Sequence, residues 1–255
     1  MTSVSFDRAA GFYDQTRGMP AHISDEIAAL AIELIGADAR ALEIGVGTGR
    51  IAKPLLARGI NLVGVDLSRV MMARIRQDVQ SATLINGDIT RLPLASALFD
   101  AVIAVHIFHL VGDWRVALAE ARRVLRSNGV LLHGYNDRLS SPIEDMRSFL
   151  RERLAAHGFP QTPVGAIEDD IEVALVESGA AMQERRTRTW SSPVTFAQEI
   201  EGVQQKLWSS LWRVPDDVLA AVVPEMRAYV LEHFGSLDAQ VDAPQQFVWK
   251  RFGWT

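Results

Sequence analysis

The chain has 255 residues, enough for one α/β domain with insertions or one domain and a small cap. A hydrophobic share of 48% excludes long disorder, and a net charge of −5 with pI near 5.7 argues against nucleic acid, whose phosphates need clustered Lys and Arg. The absence of cysteine excludes a disulfide framework, a thiolate metal site and a cysteine nucleophile, and no metal is expected.

Met1 to Gly11 lacks the basic and apolar blocks of a signal peptide, and no apolar run approaches membrane-spanning length. A cytoplasmic protein without membrane insertion is expected. In the segment Phe6 to Arg17, Tyr13 and Arg17 are four apart and share one helical face. Ser24 is placed to cap the next helix, with Asp25 and Glu26 in its first turn and Gly36 at its end. Its stripe of Ile27, Leu30, Ala31, Leu34 and Ile35 covers a sheet and carries no chemistry.

Ala41 to Ile44 reads as a short buried strand and Ile51 to Ala57 as a helix, with Gly45, Gly47 and Gly49 on alternate positions between them. Glycines suit a sharp strand-to-helix turn where backbone approaches a ligand. The following helix would aim its unpaired N–H groups and positive dipole end at whatever lies over that turn. A dinucleotide fingerprint spaces its glycines Gly-x-Gly-x-x-Gly and closes on a pyrophosphate. Here the third glycine arrives one residue early, Arg50 follows, and Glu43 sets a carboxylate beside the turn. That arrangement suits an ammonium group better than a phosphate. The next strand, Asn61 to Val65, ends at Asp66, an acid able to accept both hydroxyls of a ribose or to cap the helix from Ser68 to Asp78.

Thr83 to Asn86 is a third strand, ending at Gly87-Asp88-Ile89. Asp88 can accept from the exocyclic amine of an adenine while the Ile89 N–H faces a ring nitrogen; alternatively it is a turn residue. Ala101 to Val105 is a continuous apolar run, as a central parallel strand should be, and it leads into His106 and His109. Ligands bind outside the carboxyl ends of such strands, which puts both histidines at the right edge. Asp113 caps a helix whose Val116, Leu118, Ala121, Val124 and Leu125 are spaced for the sheet. After Ser127-Asn128-Gly129, Val130 to Tyr135 forms the fifth strand, and Tyr135, Asn136 and Asp137 emerge at the same edge.

Glu43-x-Gly45-x-Gly47-x-Gly49, Asp66, and the run from Asn86 to Pro93 followed by Phe99-Asp100-Ala101-Val102 resemble the motifs of class I S-adenosylmethionine (SAM) dependent methyltransferases. The resemblance is to the small-molecule type that includes ubiquinone and menaquinone biosynthesis enzymes. It implies cofactor contacts at Arg17, Glu43, Gly45, Gly47, Gly49, Asp66, Leu67, Met71, Asp88, Ile89 and His109, with S-adenosylhomocysteine as product. Phe6 to Arg17 resembles the segment that closes over SAM: Arg17 would take the methionine carboxylate, and Tyr13 would cover the sulfonium or the acceptor. The Asn- or Asp-Pro-Pro-aromatic run of methyltransferases acting on base amines is missing after Val105. If the acceptor is a hydroxyl or an acidic carbon, His106 is the candidate base, with Tyr13 as a second catalytic candidate.

Beyond Tyr135 the resemblance is interrupted. Pro142 to His157 reads as an amphipathic helix, Ile167 to Ser178 as a core helix closed by Gly179, and Glu184 to Trp190 as a strand with Arg185, Arg186 and Arg188 on a solvated face. Phe196, Ile200, Val203, Leu207 and Leu211 form one helical stripe, with Trp208 and Trp212 beside it. Pro215 begins another helix that Pro224 should kink or restart before Gly235, and Gln246 to Trp254 is the final strand. The expected fold is α/β: a Rossmann-like, seven-stranded, mostly parallel sheet with an antiparallel last strand, plus helical cap insertions. Residues 1–135, 165–190 and 245–255 would form the SAM-binding core, and 136–164 and 191–244 the caps over the active site. The expected partner is a small, apolar methyl acceptor. An NAD(P) oxidoreductase and a SAM-binding module without turnover are the alternatives.

Overall fold

The computed structural model describes residues 19–254. The central strand β1 (Arg40–Ile44) pairs in parallel with β2 (Asn61–Asp66) on one side and β4 (Phe99–Val105) on the other. β3 (Thr83–Asn86) lies outside β2, and β5 (Leu125–Arg138) lies outside β4, both parallel to their neighbours. β7 (Gln240–Trp254) follows β5, and β6 (Ala180–Thr195) forms the far edge, giving the order β3-β2-β1-β4-β5-β7-β6 with antiparallel last strands. The chain runs outward from β1 through β2 to β3, then returns to the other flank of β1 as β4. In open α/β sheets such a reversal is where ligands bind, here outside the carboxyl ends of β1 and β4.

The helices follow from their apolar spacing. α1 (Ala21–Ile35) buries Ile23, Ile27, Ala28, Ala31 and Leu34. Its N-cap is Pro20, not Ser24, whose N–H instead donates to the Pro20 carbonyl at 3.0 Å. A proline can stand there because a helix opening leaves N–H groups unpaired anyway. α2 (Ala52–Ala57) and α3 (Arg69–Asp78) follow β1 and β2, and the Ser68 hydroxyl accepts from the Met71 N–H at 3.1 Å to cap α3. α4 (Trp114–Val124) turns Ala117, Leu118, Ala121 and Val124 inward, while Val116 is exposed, against the expectation. α6 (Glu168–Glu177) buries Ile171, Ala174 and Leu175.

β5 starts earlier than expected. Leu125 already pairs with Phe99, and the register then shifts so that Ala101 meets Val130. Asp100, inside that irregularity, accepts from the Arg40 N–H at 2.9 Å and pairs with Arg126. These bonds hold its carboxyl below the usual range, the Arg40 amide first among them.

The described chain divides into two compact units. The first takes the residues up to Asn136, Val164–Arg188, and the chain from Phe247. Its core joins Leu42, Ile44, Val65, Phe99, Val102, Ala104, Phe108 and Phe252. Trp249 is buried there, donating its indole N–H to the Ile27 carbonyl at 3.0 Å.

The second unit comprises Asp137–Pro163 and Thr189–Gln246. α5 (Pro142–Ala156), α7 (Phe196–Gln204) and α8 (Asp216–Phe234) pack around Met146, Phe196, Ile200, Leu211, Val222 and Met226. Two expectations fail in this unit. α7 ends at Gln204, because Lys206 takes a left-handed φ of +51° and Leu207 and Leu211 lie beyond the turn. α8 does not restart at Pro224, which lies inside one helix. Pro224 and Ala220 are both exposed, so the carbonyl that loses its helical partner can be met by water.

Candidate functional site

The turn after β1 is built as much for packing as for ligand approach. Gly45 has φ +72°, and a Cβ there would stand 2.5 Å from Ile107 Cδ1. Gly49 has φ +84°, and its Cβ would meet Ile75 Cγ1 at 2.7 Å. Around Gly47 there is more room, the nearest side-chain atom being Met71 Cε at 3.7 Å from the added carbon.

The amides of this turn are largely engaged. Those of Gly45 and Val46 donate to the Val65 carbonyl at 2.8 and 3.1 Å, and that of Gly49 to the Val46 carbonyl at 2.9 Å. The Gly47 N–H donates to Asp66 Oδ2 at 2.8 Å, while the Ser68 N–H donates to Asp66 Oδ1 at 2.8 Å. A pyrophosphate cradle requires such N–H groups to face the ligand. Here they hold the turn to β2 and fix the Asp66 carboxylate, one backbone donor on each oxygen.

Glu43 lies beneath this turn, 3% exposed, and its Oε2 has no hydrogen-bond partner among the described residues. Burial drives its carboxyl well above the ordinary range; Arg50 opposes that shift and Asp66 adds to it. A buried carboxylate oxygen without a donor is costly unless a cation or donor meets it. The free amino group of an amino acid end is a ligand group of that kind. SAM carries that group together with a ribose and an adenine, so the residues present fit it.

The remaining edge is arranged strand by strand. Asp66 faces Asn86 across β2 and β3, and the Asn86 amide donates to the Asp66 and Leu67 carbonyls at 3.0 and 2.7 Å. Leu67 is 46% exposed, whereas Met71 is buried. Asp88 is exposed, and its Oδ1 accepts from both the N–H and the hydroxyl of Thr90 at 2.8 Å. The turn role thus occupies one oxygen of Asp88. Ile89 beside it is buried.

His106 follows the last residue of β4 and has φ +49°, a left-handed conformation uncommon for a side-chain-bearing residue. Its N–H donates to the Gly134 carbonyl at 3.2 Å, and its Nε2 lies 2.9 Å from Asn136 Oδ1. The rings of His109 and Phe247 stand nearly perpendicular to it, each with its centroid 6.4 Å away. His109 sits in a single 3-10 turn, Phe108–Leu110. Gly165 braces that turn, its N–H donating to the His109 carbonyl at 2.9 Å. A Cβ at Gly165 would collide with the Phe108 carbonyl oxygen at 2.0 Å.

Glu43, the three glycines, Asp66, Leu67, Met71, Asp88, Ile89, His106 and His109 therefore share the carboxyl edge of β1 to β4. Tyr13 and Arg17 lie outside the described residues. Of the three residues expected to emerge after β5, Tyr135 turns inward beneath Lys250, whose Nζ is 5.3 Å from its ring centroid; Asn136 meets His106.

His133 was not foreseen. It is 3% exposed, lies 5.9 Å from the Phe108 ring and 5.4 Å from the Tyr135 ring, and its Nδ1 has no partner among the described residues. Burial first, then Lys250 and His109, lowers its pKa to about 3. Its position on an inward-facing register of β5 was the available signal.

A seven-stranded sheet of this order defines a Rossmann-like fold. Residues 42–133 match the family model described as a methyltransferase domain. Over that stretch the chain is similar to methyltransferase domains. An uncharacterized methyltransferase of Mycobacterium bovis is 34% identical over 136 residues, 53% of this chain and 54% of that protein. A malonyl-[acyl-carrier protein] O-methyltransferase of Serratia marcescens is 30% identical over 128 residues, 50% of this chain and 49% of that one. The chain thus spans about half the length of these curated relatives. In fold it is similar to phosphoethanolamine N-methyltransferase 2 of Haemonchus contortus, solved with phosphomonomethylethanolamine and S-adenosylhomocysteine. The TM-score is 0.56 at 15% identity, over 98% of this chain and 58% of that one.

Proposed function

We propose that the chain is an enzyme that binds SAM along the β1–β4 edge and methylates a small, apolar acceptor. The observation that carries this reading is the buried, partnerless Oε2 of Glu43 beneath a turn whose amides are already engaged. In it, Glu43 takes the ammonium group, Asp66 the ribose hydroxyls, and Asp88 and Ile89 the adenine, with Leu67 and Met71 beside the nucleoside. Arg17 takes the carboxylate, and His109 and the glycine turn complete the cofactor's surroundings. When bound, SAM supplies an electrophilic methyl group and leaves as S-adenosylhomocysteine.

The leaving thioether needs no protonation, so the protein's work is alignment and exclusion of water. Where the acceptor is a hydroxyl or an acidic carbon, His106 removes its proton, and Tyr13 covers the reacting centre. The second unit, 137–163 and 189–246, is proposed to select the acceptor. The name of the Serratia relative favours a second acceptor class, a carboxylate. A carboxylate is already ionised at neutral pH, so activity would not fall as His106 becomes protonated.

Among the described residues no helix is long and apolar enough to cross a membrane. A cytoplasmic location and the absence of a nucleic-acid partner are part of the proposal. Parallel titration with S-adenosylhomocysteine and NADH, followed by an acceptor screen with labelled SAM, tests it. Binding of NADH but not of S-adenosylhomocysteine would replace this reading with the oxidoreductase. Tight binding of S-adenosylhomocysteine without transfer to any acceptor would favour a SAM-binding module.

A further inference from the structure

We propose that Glu120 and Arg123 on α4 are positioning residues that fix the loop after β3, and through it the site's hold on a purine base. The inference rests on the methyltransferase reading for its ligand, and on hydrogen bonds alone for the loop. The loop begins at Gly87, whose N–H donates to the Asp66 carbonyl at 3.1 Å. It ends where the Ala97 and Leu98 amides donate to the Arg123 and Val124 carbonyls at 3.0 and 2.9 Å. Asp88 and Ile89, the residues assigned to the adenine, lie between these anchors. Their own turn is closed locally, by Thr90 on Asp88 Oδ1 and by the Arg91 N–H on the Asp88 carbonyl at 3.0 Å.

Glu120 and Arg123 tie that turn to the helix. Glu120 Oε2 accepts from the Leu92 N–H at 2.8 Å. Both Glu120 oxygens also accept from Arg123, Oε1 from Nε at 2.6 Å and Oε2 from Nη2 at 2.8 Å. Arg123 directs its other N–H groups at the loop itself. Nη2 donates to the Leu92 carbonyl at 3.3 Å, and Nη1 to the Leu94 carbonyl at 2.9 Å and the Ser96 hydroxyl at 3.3 Å. Every N–H of the guanidinium fork thus has an acceptor. Arg123 first, then the Leu92 amide, holds the Glu120 carboxyl below its usual range against the opposing effect of burial, so the pair stays ionised at neutral pH.

Packing alone would not set the loop this closely. Ile89 and Leu92 are buried in the core, which fixes the depth of the loop, but apolar contact is non-directional. The hydrogen bonds supply direction: Leu92 is held through both its N–H and its carbonyl, so the peptide planes on either side of it are fixed. Pro93 then carries that constraint back to the start of the loop. A Cβ at Gly87 would stand 3.1 Å from Pro93 Cδ, so the braced stretch lies directly against the residue that precedes Asp88.

The test is calorimetric titration of the full chain with S-adenosylhomocysteine and with S-ribosylhomocysteine, which keeps the amino acid end and the ribose but has no base. Arg123→Met keeps the apolar stem and removes every donor. The Arg123 side chain is 33% exposed, so water can meet the acceptors it leaves and the chain should fold. The preference for S-adenosylhomocysteine over S-ribosylhomocysteine should fall about 10-fold in Arg123→Met, the worth of roughly one hydrogen bond, with affinity for S-ribosylhomocysteine unchanged. Glu120→Gln keeps an oxygen for the Leu92 N–H but loses the charged fork; it should lower the same preference by a smaller factor, and it supplies the comparison should Arg123→Met not fold. Hydrogen exchange at the Ile89 and Leu92 amides should quicken in either variant while that of β1 does not. An unchanged preference, an equal loss of both ligands, or unchanged exchange at Leu92 overturns the proposal and leaves the pair a purely structural brace. A parent that binds both compounds equally removes the base-holding role while leaving the cofactor reading intact. A parent that binds neither removes that reading and this inference together.

Discussion

Replacing Glu43 with Gln should separate the two consequences of burying a carboxyl group beneath a ligand turn. Its carboxyl is held well above the ordinary range by burial, and Oε2 has no partner. A charge-assisted hydrogen bond to an ammonium contributes about 1.5–3 kcal/mol, so Glu43→Gln should weaken S-adenosylhomocysteine binding roughly 10- to 150-fold at pH 8. Without ligand the effect reverses. The folded state holds its Glu43 proton to higher pH than the unfolded state does, so it binds more protons in that window. Stability then falls as pH rises from the unfolded pKa to the raised folded one, by up to about 1.4 kcal/mol per pH unit. Glu43→Gln removes that slope. Chemical denaturation of both chains from pH 5 to 8, with calorimetric titration of S-adenosylhomocysteine, reads both effects. Unchanged ligand affinity, or a stability difference between variant and parent that does not change with pH, refutes the reasoning.

Three other perturbations follow from the same geometry. His133 has a pKa near 3 when folded against about 6.5 when unfolded, so its contribution is lost as pH falls below about 6.5; His133→Phe should gain roughly 2 kcal/mol at pH 5 relative to pH 7.5, measured by urea denaturation. Equal pH dependence in parent and variant would contradict that. Gly45→Ala forces a Cβ to 2.5 Å from Ile107 at φ +72° and should destabilise by about 2–4 kcal/mol; Ile107→Ala in the same chain should restore only the part due to the collision. Asp66→Asn replaces an oxygen that holds the Gly47 or Ser68 amide and should weaken S-adenosylhomocysteine binding at least 10-fold, read by calorimetry.

The strands were legible where burial and parallel pairing left one pattern. Thr83 to Asn86 and the apolar run Ala101 to Val105 stand where composition put them. Ends set by tertiary contacts were not legible. Leu125 joins β5 early because Phe99 lies opposite it, across a register shift that no local pattern announces. The stripe from Phe196 to Leu211 kept helical spacing past the helix itself. Phe196, Ile200, Val203 and Leu211 are all buried, but Lys206 breaks the backbone between them, and Gly202 packs against the Trp208 ring. Apolar periodicity reports burial, and two elements joined by a tight turn can share it.

At the site, residue types were readable and their bonding was not. The spacing of Gly45, Gly47 and Gly49 distinguishes this turn from a pyrophosphate loop, but the reason is visible only in the donors. Val65, Val46 and Asp66 take the amides of Gly45, Val46, Gly47 and Gly49, so those four are not aimed at an anion. The buried Glu43 carboxyl, whose Oε2 has no partner among the described residues, is then the group left to be met, and a cation that meets it would favour its ionised form. Glu43 and the engaged amides are therefore one electrostatic device: either alone would be weak evidence for an ammonium ligand. Freeing the amides while keeping Glu43 would set two opposed fields in one turn, a combination that neither a phosphate nor an amino group could satisfy.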